Sequence, residues 1–295
     1  MGLNVIDPKS ATPRLTGVFS SDENVDFVSS FKLLAGMADI EDTLYGRVHK
    51  CRKDYRTLSV THVSAISEEA IAKGLFGDEI SAGDAREIIS KLRYKNVGFF
   101  KNFLQDLTLC FAFHSKNHSV DRFLYFYRVV EYVAIAFPIY YFSKRSDFVR
   151  SHGLLKDFFS GKDDGELRAI KKLSSFFAEQ SADLSALTID LRVSGDYHPD
   201  HANEVVEQIF NRLDAEAKEN AETGEYYVKM RYSDVGPFII ASRNLLFHNS
   251  NSGQKNFRLD RMGGAEALCD ALFPAGLIWL TQTYLEIIRD RAAAI

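Results

Sequence analysis

Beyond Tyr94 the chain sets apolar residues at helical spacing in one segment after another, and this periodicity constrains its architecture more than any other feature. In 166–177, Leu167, Ile170, Leu173 and Phe177 share one face; in 201–213, Val205, Val206, Ile209, Phe210 and Leu213 do the same. Residues 96–113 are aromatic and apolar at the same spacing, and Asp121 is placed to cap a long helix running through Tyr141. Asp234 stands where an N-cap belongs, with Pro237 in the first turn of a helix that runs to His248. Asn249-Ser250-Asn251-Ser252-Gly253 then breaks it. A final helix over 265–289 is expected to bend at Pro274. One-sided helices of this kind bury their stripes against one another, so 95–295 is expected to be a helical bundle.

The first part of the chain reads differently. Residues 25–35 carry Val25, Phe27, Val28, Phe31 and Leu34 as a helical stripe, and 67–73 and 85–92 read as short helices. Between them, 46–63 places Val48, Tyr55, Leu58, Val60 and Val63 around a polar centre, as a hairpin would. The expected fold is therefore mainly α: a smaller mixed α+β region over 1–94, of open role in sensing, regulation or RNA recognition, and a bundle over 95–295.

Hydrophobic residues make up 46% of the chain and charged ones 26%, which supplies an ordinary globular core. Twenty-three Phe and thirteen Tyr point to aromatic-rich helix packing. A net charge of −4 excludes a surface coated in basic groups, so any nucleic-acid contact must be local. Cys51, Cys110 and Cys269 form no CxxC pair and read as thiols in a reducing cytosol. No signal peptide is evident at the N-terminus. The segment 123–142 comes nearest to a membrane span, but Arg128, Glu131 and Pro138 interrupt it, so it reads as a buried helix. The chain is expected to be cytoplasmic, with no membrane partner.

Ser242-Arg243-Asn244-Leu245-Leu246-Phe247-His248-Asn249 brings an arginine, an amide and a histidine to one helix end. Arginine holds phosphate in a planar fork, and histidine moves protons near neutral pH. At about 100° per residue, Asn244 and His248 share a face, whereas Arg243 lies roughly 140° from His248. A compact site then needs the helix to end near His248, or a second copy of the chain.

This segment resembles the signature of the HEPN superfamily of helical domains, in which an Arg with a polar follower precedes a His by about four to six positions. Arg243, Asn244 and His248 match its Arg, polar follower and His. The aromatic run Phe123-Leu124-Tyr125-Phe126-Tyr127-Arg128-Val129-Val130-Glu131-Tyr132 resembles the first helix of several prokaryotic members. Arg56 with His62 and Arg145 with His152 have similar spacings, but lack the Asn follower and the helix context. The resemblance covers 95–295 and implies a dimeric, metal-independent endoribonuclease that needs no cofactor. Arg243, Asn244 and His248 would be its catalytic residues, with Glu131 and Arg128 behind them, and Lys255, Arg258 and Arg261 guiding the RNA backbone. It further implies a prokaryotic toxin or phage-defence effector, with an antitoxin or regulatory partner as a further expectation. The alternative is a non-catalytic helical module binding RNA, nucleotide or a partner protein. A plainer account of the residues has Arg243 pairing with Glu131 and His248 favourably ending its helix.

Other constellations carry less. Asp196-Tyr197-His198-Pro199-Asp200-His201 has metal-ligand residue types, but Pro199 and Asp200 are ordinary helix starters. His114 and His118 lack an acidic third ligand, and Gly161–Gly165 matches no phosphate or calcium loop. Arg47 to Arg56 is the densest basic cluster and reads as a solvated hairpin face, with an RNA-contacting ribbon as the alternative.

Overall fold

The computed structural model describes residues 2–9, 11, 14–63, 65–113, 118–143, 147–159, 165–247 and 256–293. It is mainly α-helical with small antiparallel sheets. Packing divides the chain into two units, 1–114 with 281–295 and 115–280.

In the first unit, β1 (Leu3–Ile6), β2 (Ala38–Asp42) and β3 (Arg47–Cys51) form an antiparallel sheet in that order, with Val5 opposite Ile40 and Ile40 opposite His49. β4 (Lys53–Asp54) and β5 (Thr61–His62) pair separately. The expected hairpin over 46–63 is thus only the β4–β5 pair, and β3 turns to β2 instead. The helices α1 (Asp26–Leu34), α2 (Glu68–Phe76) and α3 (Ala82–Leu92) fall where their stripes place them. Ser67 and Ser81 cap the latter two, accepting from the backbone N–H of Ala70 and Asp84. Gly36, at φ +68°, joins α1 to β2 where a Cβ would stand 2.8 Å from the carbonyl carbons of Arg52 and Lys53, so only glycine fits.

The helix α4 (Val97–Ala112) packs within this first unit, whose N-terminal stretch runs to 114. Its buried Phe100, Phe103 and Leu107 face α1 and the chain's last helix, where Phe103 stacks on Tyr284 with centroids 5.3 Å apart. The Tyr284 hydroxyl donates to the carbonyl of Phe27 at 2.7 Å. A charge is also enclosed in this unit: Lys32, fully buried, pairs with Asp7 and donates to the carbonyl of Phe19 and the hydroxyl of Ser21.

The second unit holds α5 (Ser119–Ser143), α6 (Phe148–Phe159), α7 (Gly165–Gln180) and α8 (Ala182–Ala186), then β6 (Thr188–Arg192), α9 (Pro199–Arg212), α10 (Ala215–Asn220), β7 (Glu222–Gly224), β8 (Tyr227–Arg231) and α11 (Tyr232–Phe247). The last helix, α12 (Glu266–Ala292), gives residues up to 280 to this unit and the rest to the first. The sheet, in the order β6-β8-β7, was not expected from the sequence. Because β8 runs straight into α11, Asp234 lies in the first helical turn instead of at the cap. The helix α12 is continuous through Pro274. Among the described residues only α12, rather than 123–142, is long and apolar enough to cross a membrane, and 83% of its apolar window is buried inside the chain.

Three helices meet at Trp279. Its fully buried indole donates to the Ser174 hydroxyl of α7 at 3.2 Å. It also lies so close to α11 that a Cβ on Gly236 would stand 2.6 Å from the ring and 2.9 Å from Ile170. Neither neighbour can withdraw from so dense a core. Gly236→Ala is therefore expected to cost about 1–3 kcal/mol through overpacking, read as a lower denaturant midpoint at unchanged slope.

A second expectation concerns Asp7. Burial alone would raise its carboxyl, but the Lys32 charge and hydrogen bonds from Lys32 and Ser21 outweigh it and hold the pKa below the usual 3.8. A depressed carboxyl contributes stability that is complete above its unfolded pKa and lost as pH falls through the folded value. Asp7→Asn should cost about 3 kcal/mol at neutral pH, since it leaves a buried ammonium unpaired. Urea melts of the two proteins should converge as the pH falls below 3.8 and through the depressed folded value.

Candidate functional site

α11 is described through Phe247; His248 and Lys255, both expected site residues, lie outside the described residues. What is described of the motif sits where α11 passes α5. Arg243 and Asn244 are both half-buried, and Arg243 Nη1 donates to Asn244 Oδ1 at 3.0 Å. The Arg243 guanidinium stands over the ring of Tyr127 on α5, 4.9 Å from its centroid. Tyr127 is itself buried, so the ring offers a fixed platform, and cation–π attraction and the amide together orient the fork. Tyr127 entered the sequence reading only as part of the aromatic run; nothing in its spacing marked it as the arginine's support.

Two of the expected neighbours lie on the same helix as that platform. Arg128 is exposed, 6.0 Å from the Tyr125 centroid, and Glu131 is half-buried nearly one turn further on. The start of α5 is fixed by a polar node: Arg122 pairs with Asp270 of α12 and stands 4.3 Å from the Phe273 ring centroid. The Tyr197 hydroxyl donates to the other Asp270 oxygen at 2.6 Å. Burial, and then that hydrogen bond to a carboxylate, raise the Tyr197 pKa above its ordinary value.

Arg258 and Arg261 are exposed in the segment that leads into α12. The segment is clamped to α9 by a glutamine. Buried Gln208 accepts from the Arg258 backbone N–H at 2.7 Å and donates to the Arg258 carbonyl at 3.1 Å, as a strand neighbour would. Arg212 adds a hydrogen bond to the Asn256 carbonyl and stands 4.9 Å from the Phe257 centroid. Burial, and then the Arg258 charge, lower the Arg212 pKa, so two guanidinium groups are held near each other here. Arg261 lies 3.8 Å from Glu204. A glutamine in mid-helix gives no sequence signal for such a role.

The other candidates resolve locally. His198 caps α9, its Nδ1 accepting from the Asp200 backbone N–H at 3.3 Å, and its ring lies 5.8 Å from that of His201. Among the described residues no group of three or more His, Cys, Asp or Glu side chains is placed to hold a metal ion. His118 Nδ1 is 3.3 Å from Asp121, while His114 and residues 161–164 of the glycine-flanked loop lie outside the described residues. In the basic cluster Arg52 pairs with Asp39 and Arg56 with Asp54, while Arg47, Lys50 and Lys53 are exposed. The three cysteines are buried, and burial, followed by a neighbouring carboxylate, pushes the Cys51 and Cys269 thiols up to about 12, far from nucleophilic use.

Comparison with protein-family models, with curated proteins and with solved structures yields no match to the chain.

The clamp carries its own expectation. Gln208→Leu removes both hydrogen bonds to Arg258 at similar side-chain volume and should cost about 1–3 kcal/mol. Amide exchange at Arg258 should rise by about tenfold or more, while exchange within α9 itself stays near that of the unaltered chain.

Proposed function

We propose that the chain is a metal-independent endoribonuclease that cleaves RNA at Arg243, Asn244 and His248 in a two-fold dimer. The observation that carries this reading is the arginine held over Tyr127 and tied to Asn244. On a helix Asn244 and residue 248 share a face, whereas Arg243 does not. The hydrogen bond ties the guanidinium to the amide on that face, which supports a site made of all three.

The chemistry follows from the residue types. His248 takes the proton of a ribose 2′-hydroxyl as its oxygen attacks the adjacent phosphorus. The bond from phosphorus to the 5′-oxygen breaks, and the products are a 2′,3′-cyclic phosphate and a 5′-hydroxyl. The leaving oxygen needs a proton, which a second copy of the histidine supplies when two chains meet about a two-fold axis. Arg243 stabilises the charge that grows on the phosphoryl oxygens, and Asn244 keeps its fork in plane. Arg258 and Arg261 are suited to bind flanking phosphates without reading sequence, and Lys255 belongs with them by position. Phe247, 41% exposed and one turn on from Arg243, and Leu124, 39% exposed on α5, supply apolar surface of the kind an interface buries. The biological role that goes with this reading is a prokaryotic toxin or phage-defence effector.

The test is cleavage of mixed RNA with EDTA present. Arg243→Ala and His248→Ala should each lower the rate by about a hundredfold or more, at unchanged thermal stability. Replacing the ribose at the scissile position by deoxyribose should abolish cleavage. RNA binding without cleavage would instead favour a non-catalytic module. A protein that stays monomeric at every concentration that cleaves would sink the shared site.

A further inference from the structure

Arg56, on the first unit, is held more firmly than a surface arginine needs to be. Its Nε donates to both Asp54 oxygens, at 2.9 and 3.1 Å, and Nη2 donates to Asp54 Oδ2 at 2.7 Å. The guanidinium stands 5.8 Å from the Phe31 ring centroid, and the Arg56 carbonyl accepts from Gln282 Nε2 at 2.7 Å. Nη1 makes no hydrogen bond among the described residues. It lies so near α2 that a Cβ at position 74 would come within 2.5 Å of it, and Gly74 leaves that room. The group is thus pre-oriented, with its freedom spent in folding rather than on binding.

This fork forms one wall of a pocket of about 440 Å³, a volume within the range of small-molecule sites. Two more cations line it from other elements: Lys73 of α2 and Arg289 of α12. Among the described residues both have only long contacts to exposed or half-exposed acids, Lys73 to Glu69 at 3.5 Å and Arg289 to Glu286 at 3.7 Å. Such contacts are weak and exchange readily for a better acceptor. Arg289 Nε, enclosed by the chain, has no hydrogen-bond partner among the described residues, an arrangement that a bound acceptor could relieve. Leu285 supplies apolar wall, and one acid, the exposed Asp78, lies at the pocket.

We propose that this pocket binds the phosphate group of a small phosphorylated ligand, with Arg56 Nη1 as the fixed donor and Lys73 and Arg289 closing on the anion. A fixed guanidinium donor with two mobile cations around it offers three directions of approach, which match a tetrahedral oxyanion better than a single carboxylate. The site lies wholly within the first unit, so it stands or falls separately from RNA cleavage by Arg243 and His248.

The experiment titrates the full chain with inorganic phosphate, pyrophosphate and adenosine monophosphate, by calorimetry and by thermal melting. Saturable binding of at least one, with a raised melting temperature, is expected. Lys73→Ala combined with Arg289→Gln should weaken it by about tenfold or more, and both side chains are exposed enough for the fold to survive. Asp78→Asn should tighten it by about threefold, a gain that misfolding cannot produce. Equal affinity for phosphate and the mononucleotide means the phosphate alone is read; tighter mononucleotide binding means sugar or base also fits. No binding of any of the three up to about 10 mM would overturn the proposal, as would binding that ignores all three substitutions.

Discussion

The seating of the Trp279 indole against Gly236 sets the rotation of α11, and the candidate site depends on that rotation. The indole is fixed on its other side by Ser174, so α7, α11 and α12 hold one another in place. Arg243 lies seven residues on from Gly236, which returns it to within about 20° of the same stripe. The face that admits the ring therefore carries the arginine two turns later. A second close approach brings α5 to meet it: a Cβ on Gly276 would stand 2.5 Å from Phe126. With Phe126 locked against α12, the next residue, Tyr127, is placed under the Arg243 guanidinium.

Polar groups in this bundle act as fixings for direction. Arg122 and Tyr197 divide the two oxygens of Asp270 between them, which sets the start of α5 against α12 at the cost of desolvating an ion pair. An apolar substitute could pack as well, but would not fix register in the same way. Gln208 works on the same principle, since its two hydrogen bonds satisfy both backbone groups of Arg258 in a segment with no strand partner among the described residues. The backbone that carries the exposed Arg258 is thereby braced against α9.

Much of the helical architecture was legible because an apolar stripe repeated over three or more turns suits a helix and neither a strand nor a loop. The extent of α1, α7 and α9 follows from it within a residue or two at most ends. The strands were harder to read. β7 is three residues long and β8 continues directly into α11, so no turn signal separates sheet from helix. The packing of α4 was hard to read for a different reason: it has the periodicity of a bundle helix, and no periodicity names the partner of an apolar face. Its partners include Tyr284, far away in sequence. At the site, the Arg–Asn pair was legible from residue types, while Tyr127 and Gln208 were not, because their roles rest on tertiary placement alone.

The same limit explains why spacing does not define a site. Arg56 and Arg243 each precede a histidine by a similar interval, yet their surroundings differ. His62 is exposed on β5, opposite Lys53, and Arg56 turns instead to Asp54 and Phe31. In a strand and turn, residues separated by this interval have no fixed angular relation. In a helix they do, and within the described part of α11 the Asn244 amide holds the Arg243 guanidinium. The meaning of an Arg…His interval thus depends on whether the backbone between the two residues repeats, and on whether a polar neighbour turns the guanidinium toward the shared face.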